Sequence, residues 1–432
     1  MNKIKIMVDA RVLFHYYFTN GRYGGIPYVC INILKKLKEQ SDFDITLVYG
    51  LEYRWNKKLK KIKNDGLFRN LKFICINNFT ECENYKIFAK CHFANLSLLS
   101  IIKMTYYIFR YLLFKFLEFY FDFLCSDKKE IQNHHIYFSM YNAIPDKIKN
   151  IHKIKFIILY DTIELFEKDI FIRERYKVIP DSIDKNTYIF FISQNTRNDF
   201  FSVYKNDFNF AKTFVCYIAS ASNFIPDYDR NKLNKVLKRS VGSNINNRYV
   251  LSLSSSSPRK NVPFTVECFL KFIQKNNIDD LYFFLAGASS RMIKNAVQPV
   301  LQKFPDLNDK IVILGYIQDE DMNIILSNAL FFVFLSKYEG FGMPPLEAMQ
   351  AGTAVITGNN SSLPEVVGDA AISVDCEDEN VIIKAFEDLY FNEDLRLSFI
   401  TRGLEQSKLF SWDNTISMMK SAFSYSLGLN IS

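Results

Sequence analysis

A chain of 432 residues is too long for one typical domain, so two domains of roughly 200 residues each are expected. Hydrophobic residues at 49% and charged residues at 23% exclude a disordered chain, and 41 Phe with 25 Tyr make it unusually aromatic. The net charge of +8 is modest for this length but locally concentrated, because residues 54–72, RWNKKLKKIKNDGLFRNLK, carry eight Lys or Arg against Asp65 alone.

In chain order, KIKIMV opens as a buried strand and residues 27–40 read as a helix with Leu34 and Leu37 on one side. DITLVYG (44–50) is the next strand, and KIKFIILYD (153–161) and YIFFIS (188–193) follow later. Between them lies LSLLSIIKMTYYIFRYLLFKFLEFYFDFL (96–124), whose charges are too many for a bilayer span. On a helix, Ser100, Lys103, Arg110, Lys115, Glu118 and Asp122 fall within about 140° of arc, leaving a wide apolar face. Packing against the N-terminal domain is the first reading of this amphipathic segment. The second is a membrane interface, with basic residues 54–72 against anionic lipid.

The polar stretch 220–235 suggests a domain boundary. Beyond it, short apolar runs at 249–253, 281–286, 311–314, 331–335, 354–356 and 371–374 alternate with helical segments such as 262–275, 320–330 and 380–390. That alternation predicts repeated βα units on a parallel sheet, with helices covering both faces. The fold class is therefore α/β, with two doubly wound Rossmann-like domains. Eight scattered cysteines without a CxxC pair read as buried thiols of a reducing compartment, and the five histidines show no zinc spacing. The N-terminal apolar run, broken by Asp9 and Arg11, is far short of a signal-peptide core, so a cytoplasmic location is expected.

The chemistry concentrates in YEGFGMPPLEAMQAG (338–352). The order around it is strand, loop, helix. Gly340 and Gly342 permit a close backbone approach, Pro344 or Pro345 suits the first helical position, and Gly352 suits a C-terminal cap. Glu347 is expected in the first helical turn and Glu339 in the loop before it, at the carboxyl end of a parallel strand, where ligands bind in open α/β sheets. The helix start suits a phosphate. Two carboxylates beside an anion each need hydroxyl groups to grip, and a nucleotide sugar supplies both hydroxyls and diphosphate.

This stretch, continuing through TAVITGNNSSLPEVVGDAAISVD (353–375), resembles the C-terminal domain of retaining GT-B glycosyltransferases of family 4, which carry an E-x7-E motif. SPRKN (257–261), AGASS (286–290) and ILGYIQDEDM (313–322) extend the resemblance over about 170 residues. IMVDARVL and GGIPYVCINIL resemble the family's first strand, glycine loop and first helix, and 409–423 its crossing helix.

The resemblance implies an N-terminal domain at 1–225 on the acceptor side, a nucleotide-sugar domain at 226–410 across a cleft, and a helix at 411–432 crossing back. Glu339 would contact the donor sugar and Glu347 the ribose. The amides of Phe341, Gly342 and Met343 would hold sugar and phosphate, Lys260 and Arg259 would neutralise the diphosphate leaving group, and Gly24 and Gly25 would approach that diphosphate. Tyr316 falls beside the base. Tyr160-Asp161 stands where many relatives have His-Asp, which makes Asp161 a catalytic candidate, and Ser254 stands where others have Arg.

The reaction so implied is hexosyl transfer with retention, by a same-face route in which the leaving phosphate helps take the acceptor's proton, with no metal and no other cofactor. The EGFGMPPLEAM…SSLPEV form resembles bacterial mannosyltransferases of surface-polysaccharide assembly. GDP-mannose is accordingly the expected donor and a lipid-linked glycan the expected acceptor, at the inner face of the cytoplasmic membrane. UDP-glucose, UDP-N-acetylglucosamine and GDP-fucose are the alternative donors; a non-catalytic glycan-binding or scaffold subunit is the alternative role. DED at 319–321 resembles a metal-binding DxD, but its position before a helix is explained by capping and the helix dipole. A glycosidase would also use two carboxylates but needs no Arg-Lys pair. No nucleic-acid-binding signature accompanies the basic stretch, so nucleic acid is not an expected partner.

Overall fold

The computed structural model describes residues 3–18, 25–50, 66–76, 128–163, 177–204, 207–208, 212–242, 248–254, 257–287 and 289–429. The amphipathic segment 96–124 and residues 54–65 of the basic stretch lie outside them. The chain divides into two compact units, one of Met1–Ile192, Thr196–Tyr217 and Trp412–Ser432, the other of Ser193–Asn195 and Ile218–Ser411.

The first unit holds a seven-stranded sheet among the described residues. Its strands are β1 (Ile4–Asp9), β2 (Phe43–Gly50), β3 (Lys72–Ile76), β4 (Ile136–Ser139), β5 (Lys155–Leu159), β6 (Thr187–Phe191) and β7 (Lys212–Val215), in the order β3-β2-β1-β4-β5-β6-β7. Every pairing is parallel. β4, β5 and β6 are buried throughout, as expected where helices cover both faces.

The aromatic excess goes into this core. Phe156 stacks on Tyr188 and Phe190 with centroids 4.7 and 5.1 Å apart. The C-terminal helix Trp412–Ser426 brings Phe423 edge-on to Phe156 at 4.7 Å, to Phe138 at 5.5 Å and to Phe43 at 6.0 Å. Two buried charged groups, Asp9 and Lys155, are paired. Asp9 accepts from Arg11 Nε at 2.9 Å and from Tyr137 Oη at 2.7 Å, and Lys155, fully buried, meets Asp184 at 3.0 Å and the carbonyl of His152 at 2.8 Å.

In the second unit the strands are β8 (Arg248–Ser254), β9 (Leu281–Gly287), β10 (Ile311–Gly315), β11 (Phe331–Phe334), β12 (Val355–Gly358) and β13 (Ile372–Val374). They form a parallel sheet in the order β10-β9-β8-β11-β12-β13. The order runs outward one way from β8 and the other way from β11, so the sheet reverses between these two strands. The two-domain Rossmann-like architecture of the GT-B class is thus the one present.

The polar stretch 220–235, expected as a domain boundary, contains the start of a helix, Arg230–Val241. Asp229 caps it by accepting from the amides of Asn231 and Lys232, and Gly242 ends it at φ 76°. The division between units falls at Tyr217 and Ile218, ahead of the expected 225/226.

Candidate functional site

Because β8 and β11 are hydrogen-bonded neighbours, with Phe331 opposite Val250 and Phe332 opposite Leu251, the loops leaving their carboxyl ends meet. The β8 loop forms a 3-10 turn, Pro258–Lys260, and then passes through Asn261 at φ 55° into the helix Val262–Lys275. Asn261 tolerates that left-handed conformation and its Nδ2 donates to the carbonyl of Cys376 at 2.9 Å. The two loops are laced by their backbones. Lys337 N donates to Arg259 O at 2.8 Å, Ser336 Oγ donates to Arg259 O at 3.3 Å, and Arg259 Nη1 donates to Tyr338 O.

This lacing carries Arg259, Lys260 and Glu339 together. One oxygen of Glu339, Oε1, lies 2.6 Å from Lys260 Nζ and 2.8 Å from Arg259 Nη1. The three side chains are only 12% (Glu339), 17% (Lys260) and 27% (Arg259) exposed, so the charges interact with little intervening water. Lys260 also sits 4.7 Å over the ring of Phe334. Burial lowers the Lys260 pKa; the Glu339 carboxylate opposes that and the Arg259 charge adds to it.

A third loop, after β12, holds the Glu339 backbone. Glu339 N donates to Ser361 Oγ at 3.0 Å, and Ser362 Oγ donates to Glu339 O at 2.8 Å and to Phe341 O. Sequence reasoning saw SSLPE only as part of a resemblance and missed these two serines as the support of the glutamate loop. Behind them, Cys376 Sγ accepts from Asn360 Nδ2 at 3.1 Å. Cys376, Cys30, Cys216 and Cys268 are buried free thiols as expected, and burial pushes the last three up to about 12.

Gly342, at φ 133°, starts the helix Met343–Gln350, and a Cβ there would lie 3.1 Å from Leu363 Cδ2. Pro344 and Pro345 carry no N–H, so the amides this helix start can offer an anion are those of Phe341, Gly342 and Met343. Gly352, at φ 75°, follows the helix as expected of a C-terminal cap.

Glu347 is not in the first turn. The chain becomes helical only at Met343, once past Gly342, which puts Glu347 at the fifth helical position and opens the second turn. Its half-buried carboxylate makes no hydrogen bond among the described residues. Burial, and then the neighbouring Asp319 carboxylate, push it up to about 8.

Tyr316, just after β10, is 41% exposed. Asp319 begins the helix Asp319–Ser327, and Asp321 forms a two-pronged pair with Arg239 at 2.8 and 2.9 Å. Among the described residues, no three or more His, Cys, Asp or Glu side chains cluster as a metal would require. Asp161 and Gly25 belong to the first unit. Asp161, after β5, accepts from Ile163 N at 3.1 Å, beside a buried Tyr160 whose hydroxyl is 3.3 Å from Cys30 Sγ. Gly25 opens the helix Gly25–Glu39 with open space where a Cβ would be, and Gly24 lies outside the described residues. The structure thus brings Glu339, Lys260 and Arg259 into contact, and it sets Glu347, Phe341, Gly342 and Met343 on the same loop and helix.

Residues 234–406 match the family described as Glycosyl transferases group 1. The chain is 28% identical over 253 residues to O-antigen chain mannosyltransferase B of Escherichia coli, covering 58% of this chain and 64% of that one. It is 32% identical over 175 residues to the serotype-specific mannosyltransferase WbdA of Escherichia coli, covering 39% and 20%. The matched stretches are therefore less than two thirds of either relative. Among solved structures, a glycosyltransferase from Rickettsia africae superposes with TM-score 0.65 at 15% identity over 99% of both chains. WaaG, a glycosyltransferase involved in lipopolysaccharide biosynthesis, does so with TM-score 0.59 at 11% identity over 98% and 100%. These two likenesses concern the fold.

Proposed function

From the match of residues 234–406 to the family described as Glycosyl transferases group 1, we propose that the protein transfers a hexosyl group from a nucleotide sugar to a growing glycan. The observation that carries this reading is the set of Arg259, Lys260 and Glu339 at the sheet reversal, followed by the Glu347 carboxylate, which is unpaired among the described residues. When a sugar leaves a nucleoside diphosphate, negative charge grows on the diphosphate, and two partly buried cations stabilise that charge where it develops. Glu347, with no hydrogen-bond partner among the described residues, suits a pair of ribose hydroxyls, which donate hydrogen bonds to a carboxylate. Glu339 in turn suits the hydroxyls of the sugar.

The finer reading is mannose from GDP-mannose, with retention of configuration, no metal, and a lipid-linked surface glycan as acceptor at the inner face of the cytoplasmic membrane. The choice of mannose is supported by the two mannosyltransferase relatives, and the rest follows from the resemblance of the motifs. No helix among the described residues is long and apolar enough to cross a membrane. Asp161, Gly24, Gly25 and Tyr316 are assigned by resemblance to the sugar, the diphosphate and the base.

The test is a panel of GDP-mannose, GDP-fucose, UDP-glucose, UDP-galactose and UDP-N-acetylglucosamine. It follows nucleotide release by the wild type and by Glu339→Ala, with binding measured alongside and with chelator added in a parallel series. GDP release from GDP-mannose, lost in the variant and unaffected by chelator, is the expected result. Release from a UDP-sugar alone would replace the donor, and loss with chelator would remove the metal-free mechanism. Neither binding nor release with any donor would leave a non-catalytic scaffold as the better reading.

A further inference from the structure

Glu339 stands where it cannot remain if its two neighbours serve a diphosphate. Its Oε1 bridges Lys260 Nζ, which donates a charge-assisted hydrogen bond to it at 2.6 Å, and Arg259 Nη1, which pairs with it as an ion at 2.8 Å. A phosphate oxygen gripping the same two nitrogens would need the space Oε1 now fills, and a carboxylate beside it would meet its negative charge. We propose that Glu339 is the internal occupant of the phosphate subsite and that an incoming diphosphate displaces it, so that the sugar-binding carboxylate is released only once the diphosphate is seated.

This rests on the transferase reading for the identity of the ligand, but its logic is local. With Glu339 in place the cluster carries a net charge of +1, from Arg259, Lys260 and Glu339; with Glu339 displaced the two cations present +2. The diphosphate of a nucleotide sugar, with one charge on each phosphate, matches the second state. The backbone of Glu339 is fixed by Ser361 and Ser362, while its side chain is tied down by the two cations. A rotation of the side chain alone is therefore sufficient for the exchange. Glu339 thereby acts as a specificity-determining residue. A free monosaccharide finds Oε1 of the carboxylate already engaged by the two cations, and an anion too weakly charged to engage both cations leaves Glu339 where it is.

The discriminating probe is inorganic pyrophosphate, which offers the diphosphate without nucleotide or sugar. Binding is measured by calorimetry on wild type, Glu339→Gln, Glu339→Ser and Glu377→Gln, with circular dichroism to confirm that each is folded. Glu377 pairs with Lys337 at 2.5 Å, so Glu377→Gln changes net charge equally without touching Arg259 or Lys260. Both Glu339 variants are expected to bind pyrophosphate about threefold to tenfold more tightly than wild type, the scale of a partly buried ion pair removed as competitor, and Glu377→Gln by less than about twofold.

Unchanged or weaker binding in a folded Glu339 variant, or an equal gain in Glu377→Gln, would overturn the proposal. So would failure of pyrophosphate to bind any of the four proteins. Tighter pyrophosphate binding without turnover of any nucleotide sugar would keep the displacement and remove the transferase reading.

Discussion

Glu347 is a carboxylate in an environment that favours its neutral form, since burial and then Asp319 raise it from the ordinary 4.5 to about 8. Between those two values the folded chain holds a proton that the unfolded chain has lost. Stability therefore falls as pH rises above about 4.5, and the full cost is present above about 8. Glu347→Gln cannot ionise, and it is expected to raise stability by about 1–2 kcal/mol at pH 9 while leaving it unchanged at pH 4. Denaturant unfolding at both pH values checks this. An equal effect at the two would mean that the carboxylate does not titrate in this window. At this scale the two glutamates, the lysine and the arginine were legible as a spaced motif, because each is a residue type with one chemical use in that setting. Ser361 and Ser362 were not. They act on a backbone 22 and 23 residues away, through a neighbour relation that only the sheet order supplies.

At the scale of elements, the fully apolar strands were the easiest to read, because burial on both faces leaves an uninterrupted hydrophobic run. The helix Arg230–Val241 was missed for the opposite reason. Its apolar residues are few, Leu233, Val236 and Leu237 being its buried ones, and its surroundings are polar. The capping aspartate and the closing glycine were the signals available. A reversal is implied by a doubly wound sheet, but its place between β8 and β11 was out of reach, since strand order is a property of pairing and not of any one segment. Glycine at a helix end, by contrast, is a local demand. Gly352 sits at φ 75°, and an added Cβ would lie 2.7 Å from Tyr228 Oη and 3.0 Å from Pro226 Cγ. Gly352→Ala is expected to cost about 1–3 kcal/mol through backbone strain and crowding. Thermal unfolding measures it, and an unchanged midpoint would show that the following turn relaxes freely.

At the scale of the whole molecule, the two units are each built around a parallel sheet, and the first is completed by a helix from the far end of the chain. Phe423, fully buried, meets Phe43, Phe138, Phe156 and Phe190 from strands or strand ends distant in sequence. Phe423→Ala is expected to cost about 3–5 kcal/mol, the range for an aromatic lost from a packed core. Calorimetry should show the loss in the transition of the first unit, with the second unit's transition unmoved; a shift confined to the second unit would contradict the assignment of this helix.

The same helix sets an order of events during synthesis. A ribosome has made β1 through β7 by Val215, yet it must still translate the whole of 218–411 before Trp412–Ser426 can emerge. Throughout that interval the aromatic face formed by Phe138, Phe156 and Phe190 is without its cover. The second unit, whose residues follow one another almost without interruption, can fold first. The unit begun earliest is then the last to be finished, and its exposed rings are a natural point of attachment for chaperones.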